Sequence, residues 1–248
     1  MSVWHVGRSP PKGQSPDQVA LTMAVRNAGL QFLVAADVRG IADGADITTW
    51  PARIGADPTQ ASAPLRPSYD ADGPFVNFDT VGEALPTPAV DLTSATGATI
   101  IVACYQHDPL GSGNIWEHGP LFYNSNGLVL SFSVGKLYSG IGTPHSQRLA
   151  ALSPRKVHVF GVSFDRVPAD DDVHVHDQDG QVDDFTGVIE ADSTGNFGGN
   201  SSWLGSRNNG ASQPLGGGVS VMVALPVALD HRSLQALIEA VAQIAGVR

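Results

Sequence analysis

Short apolar stretches recur along the chain, and residues typical of turns separate them. Residues 75–78 alternate as a half-buried strand does, so Val76 and Phe78 are expected to face the same side of a sheet. Residues 99–105 are almost continuously apolar, which indicates a strand buried on both faces. Further strands are predicted at residues 30–35, 47–50, 121–123, 128–134, 157–164, 172–176, 188–190, 203–205 and 219–225.

A helix is predicted near each end of the chain. Ser15 and Pro16 suit the N-cap and first turn of a short helix that Gly29 ends. Residues 230–247 are predicted to form a second helix, with Asp230 as its N-cap. Its apolar stripe consists of Leu234, Leu237, Ile238, Val241 and Ile244. Many strands between two terminal helices favour a β-sandwich over an alternating β-α fold.

The composition narrows the possible functions. The 248-residue chain has 28 Gly and 17 Pro, which suits short strands joined by many turns. It has 24 acidic and 14 basic residues, and its formal net charge is −10 at pH 7. This balance disfavours binding to nucleic acid or to an anionic membrane, because both require clustered Lys and Arg. No Gly-rich loop precedes a helix in the way that phosphate binding requires.

The single cysteine and the hydropathy of the chain indicate where it is made. Cys104 lies in an apolar run, so we expect a buried and unreactive thiol. The sequence shows no secretory signal and no apolar stretch of about 20 residues, the length that a membrane helix needs. We therefore expect synthesis in the cytoplasm without a signal peptide.

Several segments resemble, in their order, the concanavalin A-like, laminin-G-like jelly-roll superfamily. The first is FLVAAD at residues 32–37, an apolar strand that ends in Asp, and TTWP follows at residues 48–51. LRPSY at residues 65–69 and FVNFD at residues 75–79 continue the order. Thr80 stands where the superfamily commonly has Gly, which is a small departure.

The resemblance implies an all-β, antiparallel concanavalin A-like jelly-roll sandwich with a short N-terminal helix and a C-terminal amphipathic helix. The laminin-G-like jelly-roll domain is expected at residues 30–248. Residues 1–29 are expected to be an N-terminal arm and short helix, and a possible docking element. Trp4, Val6 and Arg8 are the candidate docking residues, because the arm contains too few apolar residues to order itself alone.

Modules that open in this way are common in phage-like particles and in adhesins. The resemblance therefore implies a non-enzymatic structural or adhesion protein of a phage-like particle, such as a head or tail spike, a decoration protein or a fibre subunit. Its expected partners are other virion or particle subunits, further copies of the chain and host-surface glycan, and its expected location is the virion. Two alternatives have the same fold: a glycoside hydrolase or polysaccharide lyase, and a free lectin-like module.

A carbohydrate-binding site is expected around Trp116, where Gly and Asn residues predict turns. Its candidate residues are Trp116, His118, Tyr123, Asn124 and Asn208, because aromatic and amide side chains suit sugar rings and hydroxyls. No two carboxylates have the E-x-D-x-E spacing of glycan-cleaving members of the superfamily, so no catalytic residue is predicted. As the catalytic alternative, a lyase-like set stays open that consists of His118, Tyr123, Asn124 and Arg148.

No metal or cofactor is expected, although one polar segment has a weak metal-site pattern. His174 and His176 have a strand spacing that can chelate zinc, and Asp177 and Asp179 before Gly180 faintly resemble a calcium loop. The same residues are typical of a hairpin turn, which is the simpler interpretation. Calcium near Asp177 and Asp179 is therefore the weaker alternative.

Overall fold

Two antiparallel β-sheets and a C-terminal helix make up the described part of the chain. The structure, a computed structural model, describes residues 30, 32–36, 41–71, 73, 75–88, 90–108, 111–119, 128–133, 136–141, 143–146, 155–165, 172–186, 197, 201–207 and 210–247. The mostly-β architecture predicted from the sequence is thereby confirmed. The predicted N-terminal helix and the strands at 121–123 and 188–190 lie outside the described residues.

Fifteen strands divide between the sheets, and one turn of 3-10 helix lies at Ala63–Leu65. The larger sheet has nine strands: β1 (Phe32–Ala35), β2 (Ala52–Ile54), β3 (Ser68–Asp70), β4 (Phe75–Phe78), β6 (Gly97–Gln106), β11 (His158–Asp165), β12 (Asp172–Asp177), β13 (Val182–Thr186) and β15 (Gly217–Leu225). The smaller sheet has six: β5 (Leu85–Pro86), β7 (Ser112–His118), β8 (Leu128–Ser133), β9 (Lys136–Ile141), β10 (Thr143–Ser146) and β14 (Ser202–Leu204).

The order of strands places the most apolar segments at the centre of the larger sheet. That sheet runs β13–β12–β11–β6–β15–β1–β2, and β4 pairs with both β15 and β3. The smaller sheet runs β10–β9–β8–β7–β14–β5. Every residue of β6 and β15 is buried, because both faces of these two strands are covered. This is why both strands are nearly continuous apolar runs in the sequence.

Two apolar clusters lie on the two faces of the larger sheet. The first fills the space between the sheets, and it joins Val102 of β6 to Leu130 of β8. The second lies on the outer face of the larger sheet, and it joins Ile101 of β6 to Leu234 of the C-terminal helix. Alternation along β6 explains the division, because consecutive residues point to opposite faces. Val76 and Phe78 both belong to the first cluster, as predicted.

The helix α1 (His231–Ile244) begins where the sequence predicts. The N-cap is Asp230, whose side chain accepts a hydrogen bond from the backbone N–H of Ser233. Four of the five predicted stripe residues are buried: Leu234, Leu237, Ile238 and Val241. Ile244 is 41% exposed, so the prediction for this residue is wrong. No helix within the described residues is long and apolar enough to cross a membrane.

The close approach of α1 to the sheet depends on a glycine in β11. A Cβ atom on Gly161 would lie 2.8 Å from Cδ1 of Leu234 and 2.9 Å from Cδ1 of Ile238. A larger residue would therefore force the ends of these two side chains to shift. Cys104 of β6 is buried on the opposite face, in the first cluster, and burial raises the pKa of its thiol.

The strand predicted at residues 47–50 does not form. Only isolated bridges occur there, at Asp46 and Thr49, and the strand of this region is β2, further along the chain. Ile47 and Trp50 are nevertheless buried, and Trp50 Nε1 donates a hydrogen bond to the carbonyl oxygen of Ala35 at 3.1 Å. The apolar pattern here indicates a loop anchored by two side chains, not a strand.

Several strands are not predicted by the sequence pattern, namely β2, β3, β5, β7, β9, β10 and β13. β7 begins with Ser112, Gly113 and Asn114, which are typical of turns. Pairing with β8 on one side and β14 on the other makes this segment a strand. In this part of the smaller sheet, pairing with the neighbouring strands outweighs the turn preference of the local sequence.

Candidate functional site

The outer face of the smaller sheet carries polar groups, whereas α1 covers the outer face of the larger sheet. The polar groups come from β7 and from the turn that follows β14, and β14 itself contributes an aromatic side chain. Asn114, Glu117, Trp203, Ser206 and Arg207 form the set that we call the outer-face cluster.

A β-bulge in β7 places Asn114 and Glu117 on the same face of the sheet. Asn114 pairs with Ser131 of β8 and Glu117 pairs with Val129, with a register shift that makes Ile115 an extra residue. Without the bulge, residues three apart in a strand would face opposite sides. Ser131 and Val129 lie outside the core cluster between the sheets. Asn114 and Glu117 therefore face away from that core.

Glu117 is the buried charge of the outer-face cluster. Its side chain is 0% exposed, and its Oε2 lies 3.6 Å from Nε of Arg207, whose side chain is 17% exposed. A carboxylate removed from water requires a compensating charge or hydrogen-bond donors. A turn fixes Arg207, because its backbone N–H donates to Ser212 O at 3.0 Å. The guanidinium thus compensates Glu117 and still reaches the surface.

Asn114 and Ser206 each contribute one buried oxygen atom whose hydrogen bonding is incomplete. Asn114 Nδ2 donates to the backbone carbonyl of Ser206 at 3.0 Å. Asn114 Oδ1 and Ser206 Oγ are buried, and neither has a hydrogen-bond partner within the described ranges. Most buried polar side-chain atoms do have a partner. A water molecule or a ligand hydroxyl would satisfy these two atoms.

Trp203 provides an aromatic surface next to these polar groups. In the sheet register it lies directly opposite Glu117 of β7 on one side and Pro86 of β5 on the other. It is partly exposed, whereas its neighbours Ser202 and Leu204 are buried. A partly exposed indole beside polar groups is suited to stacking against the apolar face of a sugar ring.

Two of the predicted carbohydrate-binding residues lie on the opposite face of β7, toward the core. Trp116 and His118 are both 0% exposed, so neither side chain presents a surface to a sugar. Trp116 Nε1 donates to Thr87 Oγ1 at 3.4 Å, and His118 Nδ1 lies 2.8 Å from Ser202 Oγ. The turn composition around Trp116 misled the prediction, because β7 is a strand. The other candidates, Tyr123, Asn124 and Asn208, lie outside the described residues, as do Trp4, Val6, Arg8 and Arg148.

The acidic segment forms a hairpin turn between β12 and β13. The Asp177 carboxylate accepts hydrogen bonds from the backbone N–H groups of Asp179 and Gln181, both at 2.9 Å, and Gly180 has a φ of 77°. These bonds use a carboxylate oxygen that calcium would otherwise bind. Nowhere in the described ranges do three or more His, Cys, Asp or Glu side chains form a group that could hold a metal ion.

His174 and His176 share one face of β12, as their spacing predicts, and that face contacts α1. His176 Nε2 lies 2.9 Å from Nδ1 of His231, and His176 Nδ1 lies 3.1 Å from Oε1 of Gln235. The rings of His174 and His231 are 4.2 Å apart between centroids. These histidines join the helix to the sheet through hydrogen bonds and ring contacts.

Sequence reasoning did not single out Glu117, Ser206 or Arg207 as site residues. One signal was available: Glu117 lies in the segment NIWEH, where a lone acid among apolar and aromatic residues indicates a buried charge that needs a partner. The partner, Arg207, is 90 positions later in the chain, and its proximity depends on the pairing of β7 with β14. The alternation of apolar and polar residues along the chain does not predict the bulge at Ile115.

Comparisons with known proteins relate the fold to sialidases. A sialidase from Trypanosoma rangeli in complex with 2,3-difluorosialic acid is similar over 88% of this chain and 34% of its own, with 13% identity and a TM-score of 0.60. The K499G mutant of the NanB sialidase from Streptococcus pneumoniae is similar over 65% of this chain and 27% of its own, with 12% identity and a TM-score of 0.50. No protein-family model matches the chain, and neither does any curated protein.

The comparisons contradict the expected function. The reported structural neighbours are sialidases, which are carbohydrate-active enzymes, so a non-enzymatic structural or adhesion protein of a phage-like particle is not supported. They agree better with the alternative of a carbohydrate-active enzyme of the same fold. At 12–14% identity the likeness shows the fold alone. The chain spans about a third of the length of the Trypanosoma rangeli sialidase chains that it matches.

Tyr69 and Tyr105 are not activated as a sialidase nucleophile would be. Sialidases use a tyrosine as the nucleophile. The hydroxyl of Tyr69 donates to a backbone carbonyl at 2.9 Å, and that of Tyr105 donates to Asn77 Oδ1 at 2.9 Å. Burial, followed by the charge of Asp79, raises the pKa of Tyr105 to about 12, which disfavours the nucleophilic phenolate.

Proposed function

We propose that this chain is a glycan-recognising sandwich of a carbohydrate-active protein, and that the outer-face cluster binds the sugar. The observation that carries the proposal is the partly exposed indole of Trp203, opposite a buried Glu117 that is paired with Arg207. Sugar sites combine an aromatic face for the C–H groups of the ring with fixed polar groups for the hydroxyls. The outer-face cluster has both kinds of group within one small region.

We propose that this cluster recognises a glycan and does not hydrolyse it, because it contains too few carboxylates for hydrolysis. The cluster as defined contains one carboxylate, that of Glu117, whereas glycoside hydrolysis normally uses two. Glu117 holds Arg207 in place, and Arg207 and Trp203 reach the surface, where a glycan can contact them. The fold shared with parts of sialidase chains supports a role in glycan chemistry.

We also propose jelly-roll connectivity for the sandwich, in line with the superfamily that the sequence resembles. Both sheets are antiparallel, and the chain passes repeatedly between them: β4 to β5, β5 to β6, β6 to β7, β10 to β11, β13 to β14 and β14 to β15. Repeated crossing between two packed sheets is typical of double Greek-key folds. An experimental structure of the full chain would test this connectivity, above all at residues 121–127 between β7 and β8 and at residues 187–196 between β13 and β14.

The test of the glycan site replaces Trp203 by Ala in the full chain. We expect the wild-type protein to bind members of a glycan array, and the Trp203→Ala variant to bind the same glycans about tenfold more weakly, a change on the order of 1.4 kcal/mol, as measured by titration calorimetry. Trp203→Phe should keep most of the affinity, because it keeps an aromatic face. Release of reducing sugar from the bound glycans is measured in parallel.

The matched control is Val182→Ala, which shortens an exposed apolar side chain on the larger sheet. This variant should bind glycans as the wild type does. Unchanged binding by Trp203→Ala would show that the outer-face cluster is not the site. Absence of binding and of sugar release by the wild-type protein across the array would overturn the proposed function itself.

A further inference from the structure

We infer that the outer-face cluster binds a neutral, hydroxyl-rich sugar in preference to an acidic one. The inference rests on the proposed function and adds the chemical class of the ligand. It follows from two properties of the cluster, its balance of charge and its balance of hydrogen-bond donors and acceptors.

The charge of the cluster is already balanced within the protein. The one cation, Arg207, has Nε 3.6 Å from Oε2 of the fully buried Glu117. A ligand carboxylate that approached the guanidinium would enter the field of Glu117, and two like charges near each other in a poorly solvated place repel strongly. The formal net charge of −10 adds a weaker long-range repulsion for anions. A neutral ligand meets neither penalty.

The hydrogen-bonding groups of the cluster need donors. Asn114 Oδ1 and the Glu117 carboxylate can only accept hydrogen bonds. The amide Nδ2 of Asn114 already donates to Ser206 O. Asn114 Oδ1 and Ser206 Oγ are buried without a hydrogen-bond partner in the part of the chain that the structure describes. A sugar hydroxyl both donates and accepts, whereas a ligand carboxylate only accepts. Hydroxyl groups are therefore the complementary ligand groups.

The experiment compares two ligands that differ in a single group. One is a neutral oligosaccharide that binds on the array, and the other is the same oligosaccharide with its terminal C6 hydroxyl oxidised to a carboxylate. Titration calorimetry on the full chain should give an affinity for the neutral sugar at least about tenfold higher than for its oxidised form.

Two variants connect this preference to the outer-face cluster. Glu117→Gln removes the counter-charge of Arg207, so the oxidised sugar should gain about tenfold relative to the neutral one, whereas a purely structural role of Glu117 would weaken both alike. Ser206→Ala should weaken binding of the neutral sugar several-fold with little change in melting temperature. Ser163→Ala, a buried serine on the opposite outer face, is the control and should leave both affinities unchanged.

The outcomes separate this inference from the proposed function. Equal or tighter binding of the oxidised sugar by the wild type would overturn the inference and leave the proposed function in place. Binding of no glycan would overturn both. A preference for the neutral sugar that Ser206→Ala and Glu117→Gln both leave unchanged would show that the buried oxygens hold only water and that the preference arises elsewhere. If Glu117→Gln fails to fold, Ser206→Ala still decides this last point.

Discussion

The two outer faces of this sandwich bury their residues in opposite ways. On the larger sheet, α1 covers Ile101 and Val223 with Leu234 and Ile238, so apolar groups contact apolar groups. On the smaller sheet, the groups removed from water include the carboxylate of Glu117. The first arrangement stabilises the fold through apolar burial. The second requires compensation for each buried polar atom, and it adds little net stability.

Two buried serines, one on each outer face, differ in their hydrogen bonding. Ser163 on the larger sheet donates to Leu229 O at 2.9 Å and accepts from Leu229 N at 2.8 Å. Ser206 on the smaller sheet has a buried Oγ without a hydrogen-bond partner in the described ranges. Structural faces complete their hydrogen bonds internally, whereas a binding face leaves groups for a ligand. This contrast is why we place the function on the smaller sheet.

The largest expected effect tests the apolar face. Leu234→Ala removes a 0% exposed side chain between α1 and β11, and it should lower the free energy of unfolding by about 3 kcal/mol, because it loses apolar burial and leaves a cavity. Urea denaturation measures this change. Ile244→Ala, on the same helix at a 41% exposed position, should change stability by less than about 1 kcal/mol. Equal effects of the two changes would mean that α1 does not pack on the sheet as described.

The hydrogen bonds of the same face give the next largest effect. Ser163→Ala removes the hydroxyl that both donates to and accepts from the backbone of Leu229, just before the helix. We expect a loss of about 1.5 kcal/mol in the free energy of unfolding, because buried backbone groups are left unsatisfied. Thr99 Oγ1, 3.2 Å from Leu229 N, limits the loss. A change within the error of the denaturation curve would show that Thr99 alone is sufficient.

The start of α1 gives a smaller effect that depends on pH. The hydrogen bond from the backbone N–H of Ser233 lowers the pKa of Asp230 below its usual value of 3.8. The ionised form is therefore favoured by folding, so its contribution is complete at neutral pH and is lost as pH falls below about 4. Asp230→Ala should cost about 1 kcal/mol at pH 7 and progressively less in acid.

Asp230→Ser is the control for that titration, since serine caps a helix without ionising. Its difference in stability from Asp230→Ala should not vary between pH 7 and pH 3. A constant difference between the wild type and Asp230→Ala over the same range would contradict the lowered pKa.

The smallest expected effect tests the polar face. Ser206→Ala removes a buried hydroxyl that makes no hydrogen bond within the described residues, so stability in the absence of ligand should change by less than about 0.5 kcal/mol. The comparison with Ser163→Ala is direct, because both changes delete one buried oxygen. A loss of more than about 1 kcal/mol would mean that a firmly held water completes the site in the free protein.

The central strands, the C-terminal helix and the mostly-β class of the fold follow from local patterns in the sequence. The apolar runs of β6 and β15 and the alternation of β4 indicate strands, because these patterns follow directly from which faces are buried. Asp230 marks the start of α1 for an equally local reason, since an N-cap acts within three residues. Strands such as β7 and β9 are polar or rich in small residues, and only pairing with their neighbours makes them strands.

The candidate site, in contrast, depends on contacts between distant parts of the chain. The pairing of β7 with β14 brings Glu117 to Arg207 and Trp203, and these contacts join residues about 90 positions apart. The bulge at Ile115 then decides which residues share a face. It places Glu117 on the outer face of the smaller sheet and Trp116 on the face toward the core. Sequence periodicity contains no information on long-range register or on a single inserted residue, because both depend on the partner strand.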